Sequence, residues 1–451
     1  MATKIKYILF LAIIITSFSF EIFAQQDSVI TNAEHKDISL SDAIKTSLER
    51  NYQVKISEKE HEISENNNSW GRAGRYPTVS LNLTQGNRYD NTPPSITDER
   101  TEIGTISLSP SLNANWVLFN GFSVRFTKKN LEEYKNISED YLKLQIENTI
   151  YQTILGYYDI LLQKEKLNIL NQIMDLSRDR YDYVKARKEL GSAVTFDVLQ
   201  VKDAFLSDSS NYILQKLNFD NSIRVFNKLL ADTVYISYNP TDEFNTDFVN
   251  FNYEELKTKM LENNKTLKIQ NMNQNVLRND IALQKSSLYP SISLRTGIDN
   301  SNLRIKMINP DAGTSNTQNY DAYANLTLSY TIFNGLNRRK NIQNATIEEE
   351  IGKMQIEDIK LSLNNQLLSM LELYNARKQL YNVANESVIT SKLNLEIAKD
   401  KFASGAINSF NYRDIQLSFI NASFKKLEAI YMLISSHNDL LILTGEIISK
   451  Y

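Results

Sequence analysis

Apolar positions along this chain follow two different periods, and the changeover between them comes at matching places twice. Over 79–84 the period is two: Val79, Leu81 and Leu83 face one way, Ser80, Asn82 and Thr84 the other. After a polar loop the alternation resumes, with Ile106, Leu108, Leu112, Ala114 and Trp116 opposed to Ser107, Ser109, Ser111, Asn113 and Asn115. Much later it returns in Ile292 and Leu294, then in Ala324, Leu326, Leu328, Tyr330 and Ile332 against Asn325, Thr327, Ser329 and Thr331. The pattern predicts four strands, over 77–86, 104–118, 290–298 and 321–332. At roughly 10 residues each, they match the length a tilted strand needs to cross a bilayer. Their polar face carries uncharged Ser, Asn and Thr, as a water-filled lumen permits. Pro110 predicts a bulge or an edge position within the second strand.

Between the strands the period lengthens to seven. From Ser123 to Lys188 the lane runs Tyr134, Tyr141, Asn148, Leu155, Leu162, Ile169, Leu176 and Tyr183. The later counterpart is Leu367, Tyr374, Tyr381, Val388, Leu395 and Phe402. A strict seven-residue lane predicts a supercoiled partner helix. Such rods are on the order of 100 Å long at about 1.5 Å per residue. Gly191 and Gly405 end them, and helices from Phe196 to Leu230 and from Phe410 to Leu443 return the other way. Asp197 and Ser409 or Asn411 are candidates for the starts of those helices. Shorter helices precede each strand pair, over 39–70 and 252–287, the first capped by Ser39 or Ser41 with Asp42 in its first turn.

The chain is written twice. Trp116–Gly121 corresponds to Tyr330–Gly335, and Leu190–Asp197 to Ser404–Asn411, both at an offset of 214; Tyr76–Leu81 matches Tyr289–Leu294 at 213. A first repeat therefore occupies 25–230, with a helical hairpin over 122–230. A linker follows at 231–251, and a second repeat at 252–451 has its hairpin over 336–445. The fold class is mainly α with membrane β: a duplicated half-molecule of long coiled-coil hairpins and four strands.

Composition supports long elements. In 451 residues there are 13 glycines and 7 prolines, too few for many turns, and no proline between Ser111 and Asn239 or after Pro310. Lys4 and Lys6 before the apolar run Tyr7–Phe18 predict a signal peptide over 1–24. Fifty basic against 53 acidic residues give no bias toward nucleic acid. The absence of cysteine excludes disulfides, thiolate catalysis and a lipid-modified N-terminal cysteine. His35, His61 and His437 have no metal-gathering spacing, and Gly71-Arg72-Ala73-Gly74 reads as a helix-to-strand bend rather than a phosphate cradle. No enzyme motif or cofactor site is expected.

Four amphipathic strands cannot close a barrel, and open edges in hydrocarbon leave backbone groups unsatisfied. At least two copies must pool them. A periplasmic coiled-coil scaffold or adaptor would share the hairpins but has no use for the strands.

These landmarks resemble the TolC family of outer-membrane efflux and secretion ducts: Asn51-Tyr52, the Tyr76-Pro77 and Tyr289-Pro290 strand starts, the Phe119-Asn120-Gly121 and Phe333-Asn334-Gly335 turns, and the tip glycines. The resemblance implies a homotrimer with a 12-stranded barrel in outer-membrane lipid, a periplasmic helical tunnel, and an equatorial belt including 231–251. It also implies tips that close the tunnel and meet a periplasmic adaptor joined to an inner-membrane pump. Gly191, Gly405, Phe196 and Phe410 are the expected adaptor contacts. In the family, acidic residues six and nine positions after the second glycine line the tunnel mouth; here they are Asn411 and Asp414, with Asp197 in the equivalent first-repeat position. The Tyr and Arg that hold relatives shut are replaced by Phe402 and Ile407. Apolar contact is therefore expected to close this gate.

Overall fold

The computed structural model describes residues 34–92, 94, 101–244, 247–307 and 313–451; the signal segment lies outside them. The chain alternates in chain order between strands and helices. Strand β1 (Glu34–Ile38) leads to α1 (Leu40–Arg50), α2 (Tyr52–Asn67), β2 (Thr78–Thr92) and β3 (Thr101–Asn120). Next come α3 (Ser123–Glu189), α4 (Thr195–Leu229) and β4 (Ile236–Pro240). The second round is α5 (Tyr253–Asn263), α6 (Lys265–Ser286), β5 (Ser291–Met307), β6 (Thr314–Ser329), α7 (Asn337–Ala403), α8 (Ser409–Leu443) and α9 (Ile447–Lys450). The duplication is metrically close: α3 and α7 each have 67 residues, and α4 and α8 each have 35.

The four long strands form one antiparallel sheet in the order β2-β3-β5-β6. Register keeps the apolar alternation on one face across it: Leu81 opposes Leu112, Leu112 opposes Ile298, and Trp116 opposes Leu294, which opposes Leu326. The strands run 15, 20, 17 and 16 residues, well beyond the roughly 10 the alternation predicts. Of the added lengths, Gln85–Thr92 is polar on both faces apart from Tyr89 and carries little period-two signal, whereas in Asn300–Met307 the alternation resumes with Leu303, Ile305 and Met307 against Asn302, Arg304 and Lys306. One expected end is corrected inward: β6 stops at Ser329, and Ile332 stands 90% exposed beyond it. Pro110 is corrected too. It lies in an interior strand opposite Leu83, and the ladder to β5 passes over it, from Leu108↔Asn302 to Ser111↔Asp299. The bulge falls later, between Val117 and Phe119.

Strand turns into helix through consecutive left-handed residues, Gly121 (φ 65°) and Phe122 (φ 69°), repeated as Gly335 and Leu336. A Cβ on Gly121 would stand 2.1 Å from the Ser286 carbonyl oxygen, so glycine is required there. Below the sheet, α3 packs on α4 and α7 on α8, and α3 joins the two hairpins by packing on α8. Across the chain the lower helices therefore run α4-α3-α8-α7. None of the helices among the described residues is long and apolar enough to cross a membrane.

The main core lies at the waist, where Ile154, Tyr157, Phe226 and Leu230 are fully buried with Ile430, Ile434 and Leu441. Parallel pairing of β1 with β4 closes this waist. Neither short strand is visible as a period in the sequence. The Tyr157 hydroxyl anchors the pair by donating to Asp242 Oδ2 (2.7 Å), which also accepts the Leu40 N–H (2.7 Å). The repeat extends to single side chains. Asn51 donates to the Leu229 carbonyl (2.9 Å) and Asn264 to the Leu443 carbonyl (3.0 Å), and each caps the helix after it.

Candidate functional site: the hairpin tips and the seam above them

Gly191 and Gly405 both take φ 77°. Each closes its rod with a paired turn: Gly191 N–H to Lys188 O (2.9 Å) with Ser192 N–H to Arg187 O (2.8 Å), and Gly405 N–H to Phe402 O (3.1 Å) with Ala406 N–H to Lys401 O (2.8 Å). The tips beyond are apolar and open to solvent: Leu190 is 83%, Phe196 72% and Phe410 66% exposed. Asp197 is the third residue of α4, where its carboxylate accepts the Val194 N–H (3.3 Å) and complements the helix dipole. The start of α8 is corrected. Its cap is Asn408, whose Oδ1 accepts the Asn411 N–H (2.9 Å), so neither Ser409 nor Asn411 caps it. Asn411 and Asp414 are exposed, and Asp414 has no hydrogen-bond or ionic partner among the described residues.

Phe402 is not exposed. Its ring stacks on Tyr412 (centroids 5.1 Å, 8°) and meets Tyr183 edge-on (6.0 Å), joining α7, α8 and α3. Ile407 is half-buried. The tip thus gathers Phe402 with Tyr183 and Tyr412, while Asp197 and Asp414 stay apart from that cluster.

About one turn further up lies a group the lane analysis passes over. Asp208, 1% exposed, accepts both Arg413 guanidinium nitrogens (2.6 and 2.7 Å) and the Ser177 hydroxyl. Beside it Arg180, 4% exposed, donates to Gln416 Oε1 (3.0 Å) with its guanidinium 5.7 Å over the Tyr412 ring. Burial, with the Arg413 charge alongside, pulls the Arg180 pKa down to about 10, so it remains charged at neutral pH. Two more links hold α3 to α8 higher up, Lys166 to Glu428 (2.6 Å) and Tyr151 to Asp439 (2.6 Å). The signal that finds Asp208 is a buried seven-step lane in α4 itself: Val201, Asp208, Gln215 and Ser222.

The lane proposed for α3 is corrected in part. Tyr134, Tyr141 and Tyr183 are each about half exposed, whereas Leu170, Ser177 and Val184, each one position beyond a lane residue, are buried, Leu170 against Ile420 of α8 and Ser177 on Asp208 of α4. In α7, Leu367 and Tyr374 are buried as the lane predicts. No metal-binding group of three or more acidic or histidine side chains occurs among the described residues.

An amphipathic sheet continued by long paired hairpins, twice over in one chain, is one subunit's share of a membrane barrel and of a helical tube beneath it. The profile of the outer membrane efflux protein family matches residues 43–230 and 256–446, and the chain belongs to that family. It is an outer-membrane efflux channel whose helices extend into the periplasm. No curated protein matches its sequence. Among solved structures it is similar to CusC, a transmembrane channel, at TM-score 0.71 and 15% identity, covering 93% of this chain and 95% of that one. It is also similar to the CmeC outer membrane channel of Campylobacter jejuni (TM-score 0.71, 15% identity, 90% and 85% covered). A third is the outer membrane protein VceC of Vibrio cholerae (0.67, 11%, 90% and 96%). At these identities the likeness is one of fold.

Proposed function

We propose that this chain is the exit duct of a tripartite efflux or type I secretion assembly. As a homotrimer it would carry substrate passively from a periplasmic adaptor and an inner-membrane pump to the exterior. The observation that carries this reading is that both layers of the subunit end in open flanks that complement each other. The sheet is open at β2 and β6, and the helical layer at α4 and α7. Unpaired strand edges in hydrocarbon cost several kcal/mol per group, so β6 of one copy needs β2 of the next. Below the sheet, α4 exposes Leu199, Leu206 and Ile213 at steps of seven, and α7 exposes Val383 and Ile397. These sit at equal heights: Leu199 is eight residues beyond Gly191 and Ile397 eight before Gly405, while Ile213 and Val383 are each 22 away. A head-to-tail contact repeated about an axis closes a ring, and three copies supply twelve strands and twelve helices around a lumen.

In this reading the repeats 25–230 and 252–451 each supply half of the subunit's wall, and 231–251 belongs to the equatorial belt. The tips close the periplasmic end, with Phe402 and Ile407 as apolar closure and Asp414 with Asn411 at the tunnel mouth. Gly191, Gly405, Phe196 and Phe410 meet the adaptor.

The chain has no cysteine, so disulfide trapping starts from a clean background. Leu199→Cys with Ile397→Cys should oxidise to a covalent trimer on a denaturing gel. The height-mismatched pair Leu199→Cys with Val383→Cys should stay monomeric. Monomer from both pairs, in protein that fractionates with the membrane, would remove the proposed interface.

A further inference from the structure

We propose that the periplasmic foot of the barrel holds a binding site for the phosphodiester headgroup of an anionic glycerophospholipid. The site is a cavity of about 280 Å³ lined by Trp70, Arg75, Trp116, Phe119, Phe122 and Arg125. Its position faces lipid: Trp116 shares the apolar face of the sheet with Leu294 and Leu326. The Trp116 indole N–H is anchored to the Arg75 carbonyl (2.8 Å), and the Arg75 guanidinium lies 4.8 Å over the Trp70 ring. Lys128, held by Asn68 Oδ1 (2.6 Å), approaches the same ring at 5.9 Å.

Charge argues for the occupant. Arg75 and Arg125 line the cavity and Lys128 reaches the Trp70 ring, and none of the three has a carboxylate partner within 4 Å among the described residues. Cations elsewhere on the chain do find carboxylates, as Lys143 finds Glu139 and Lys353 finds Glu349. Neither α3 nor α7 has an acidic residue in its first turn, and Arg125 at one and Arg338 and Arg339 at the other oppose the helix dipole. A cluster placed against local electrostatics at the edge of an apolar band is stabilised by an external anion, and the anion at that depth in a bilayer is a lipid phosphate. The second repeat carries the same arrangement in looser form, with Arg338 6.0 Å over Tyr330 and exposed Phe333 and Leu336 beside it. Indole and aromatic rings at the level of the headgroups hold the glycerol end of the lipid while the cations take its phosphate.

This inference rests on the barrel being membrane-inserted, and the experiment separates the two. Both of the chain's tryptophans line the cavity, so intrinsic fluorescence reports on this site alone. The full-length protein is reconstituted in phosphatidylcholine vesicles containing a small, equal fraction of acyl-brominated phosphatidylglycerol or brominated phosphatidylcholine. Quenching by the anionic lipid should exceed that by the zwitterionic one by roughly threefold or more. Arg75→Gln with Arg125→Gln should bring the two to equality, while the distant surface variant Lys353→Gln keeps the preference. Equal quenching of the native protein by both lipids overturns the headgroup site and leaves the barrel standing. No quenching by either lipid overturns the barrel reading along with it. Two detergent arms test other sources. If inorganic phosphate at millimolar concentration relieves the preferential quenching, the site is a free-phosphate site. If a poly-glutamate peptide shifts the fluorescence where phosphatidylglycerol does not, it is a protein-docking patch. Either result overturns the lipid proposal.

Discussion

Glu147 is buried in α3 at 1% exposure with Oε1 unpartnered. Burial pushes its pKa up to about 7, although Lys265 and Lys268 pull it down. A carboxyl raised above its unfolded value near 4.5 favours the folded state fully at low pH. That contribution is lost as pH rises through about 7. Glu147→Gln should therefore melt with the native protein at pH 5 and above it at pH 8. An equal shift at both pH values would assign the effect to packing. Asp208 is buried too, but its charge is matched by the Arg413 guanidinium. Removing Arg413 leaves a buried carboxylate alone at about 3–5 kcal/mol. Arg413→Ala should therefore loosen the lower hairpins, measured as faster amide exchange in α4 and α8 below Gln215 and Ser423, while the exchange-swapped pair Asp208→Arg with Arg413→Asp recovers part of the loss. Unchanged exchange in Arg413→Ala would show that the Asp208 link holds nothing together. Neither residue stood out in the sequence. A lone Asp in an amphipathic helix looks the same whether it faces water or a guanidinium on a helix 205 positions away.

At the scale of the element, the tip glycines and both hairpins were legible because turn chemistry and a seven-residue period are local properties. Which seam a lane packs against is not local. α3 is touched by α1, α2, α4, α6, α8 and α9, so several of its faces carry apolar residues and a count of one lane cannot rank them. α7 has fewer neighbours within the chain, and its lane reads directly. The tip shows the same limit: the substitution pattern pointed to apolar closure, but only the fold brings Tyr183 and Tyr412 onto Phe402. Phe402→Ala with Ile407→Ala should raise the resting conductance of reconstituted channels, since burying one such side chain is worth about 1.5–3 kcal/mol at most and each is only part-buried. Asp197→Asn should change conductance little, because the hydrogen bond its carboxylate makes among the described residues is to its own helix start. Conductance that responds to Asp197→Asn and not to the double alanine would make the closure electrostatic.

For the whole molecule, duplication was the most legible feature, since an offset of 213–214 survives where individual residues have diverged. The waist was the least legible, being built from two five-residue strands paired across 202 positions. The same long-range logic governs what the assembled tube conducts. Asp414 lies exposed in the second turn of α8, nine residues past Gly405, with no ion-pair partner among the described residues. Repeated about the proposed threefold axis, it would form a carboxylate ring at the proposed tunnel mouth, while Asn411 one turn earlier would contribute dipoles and no charge. A single ring in water-filled surroundings attracts cations with a potential that falls off over the Debye length, about 10 Å at 0.1 M salt. Two consequences can be measured in planar bilayers. Cation selectivity should be weak and should fade between 0.1 and 1 M salt, where the Debye length shrinks to about 3 Å. Multivalent cations added to the periplasmic side should block, because three carboxylates close together bind a trivalent ion far better than a monovalent one. Asp414→Ala should abolish that block with trimers intact, and Asn411→Asp should deepen it by adding a second ring one turn away. Block that persists in Asp414→Ala would locate the constriction elsewhere, and the acidic pair Asp299 and Asp321, opposite each other on the polar face of the sheet, would be the next place to look.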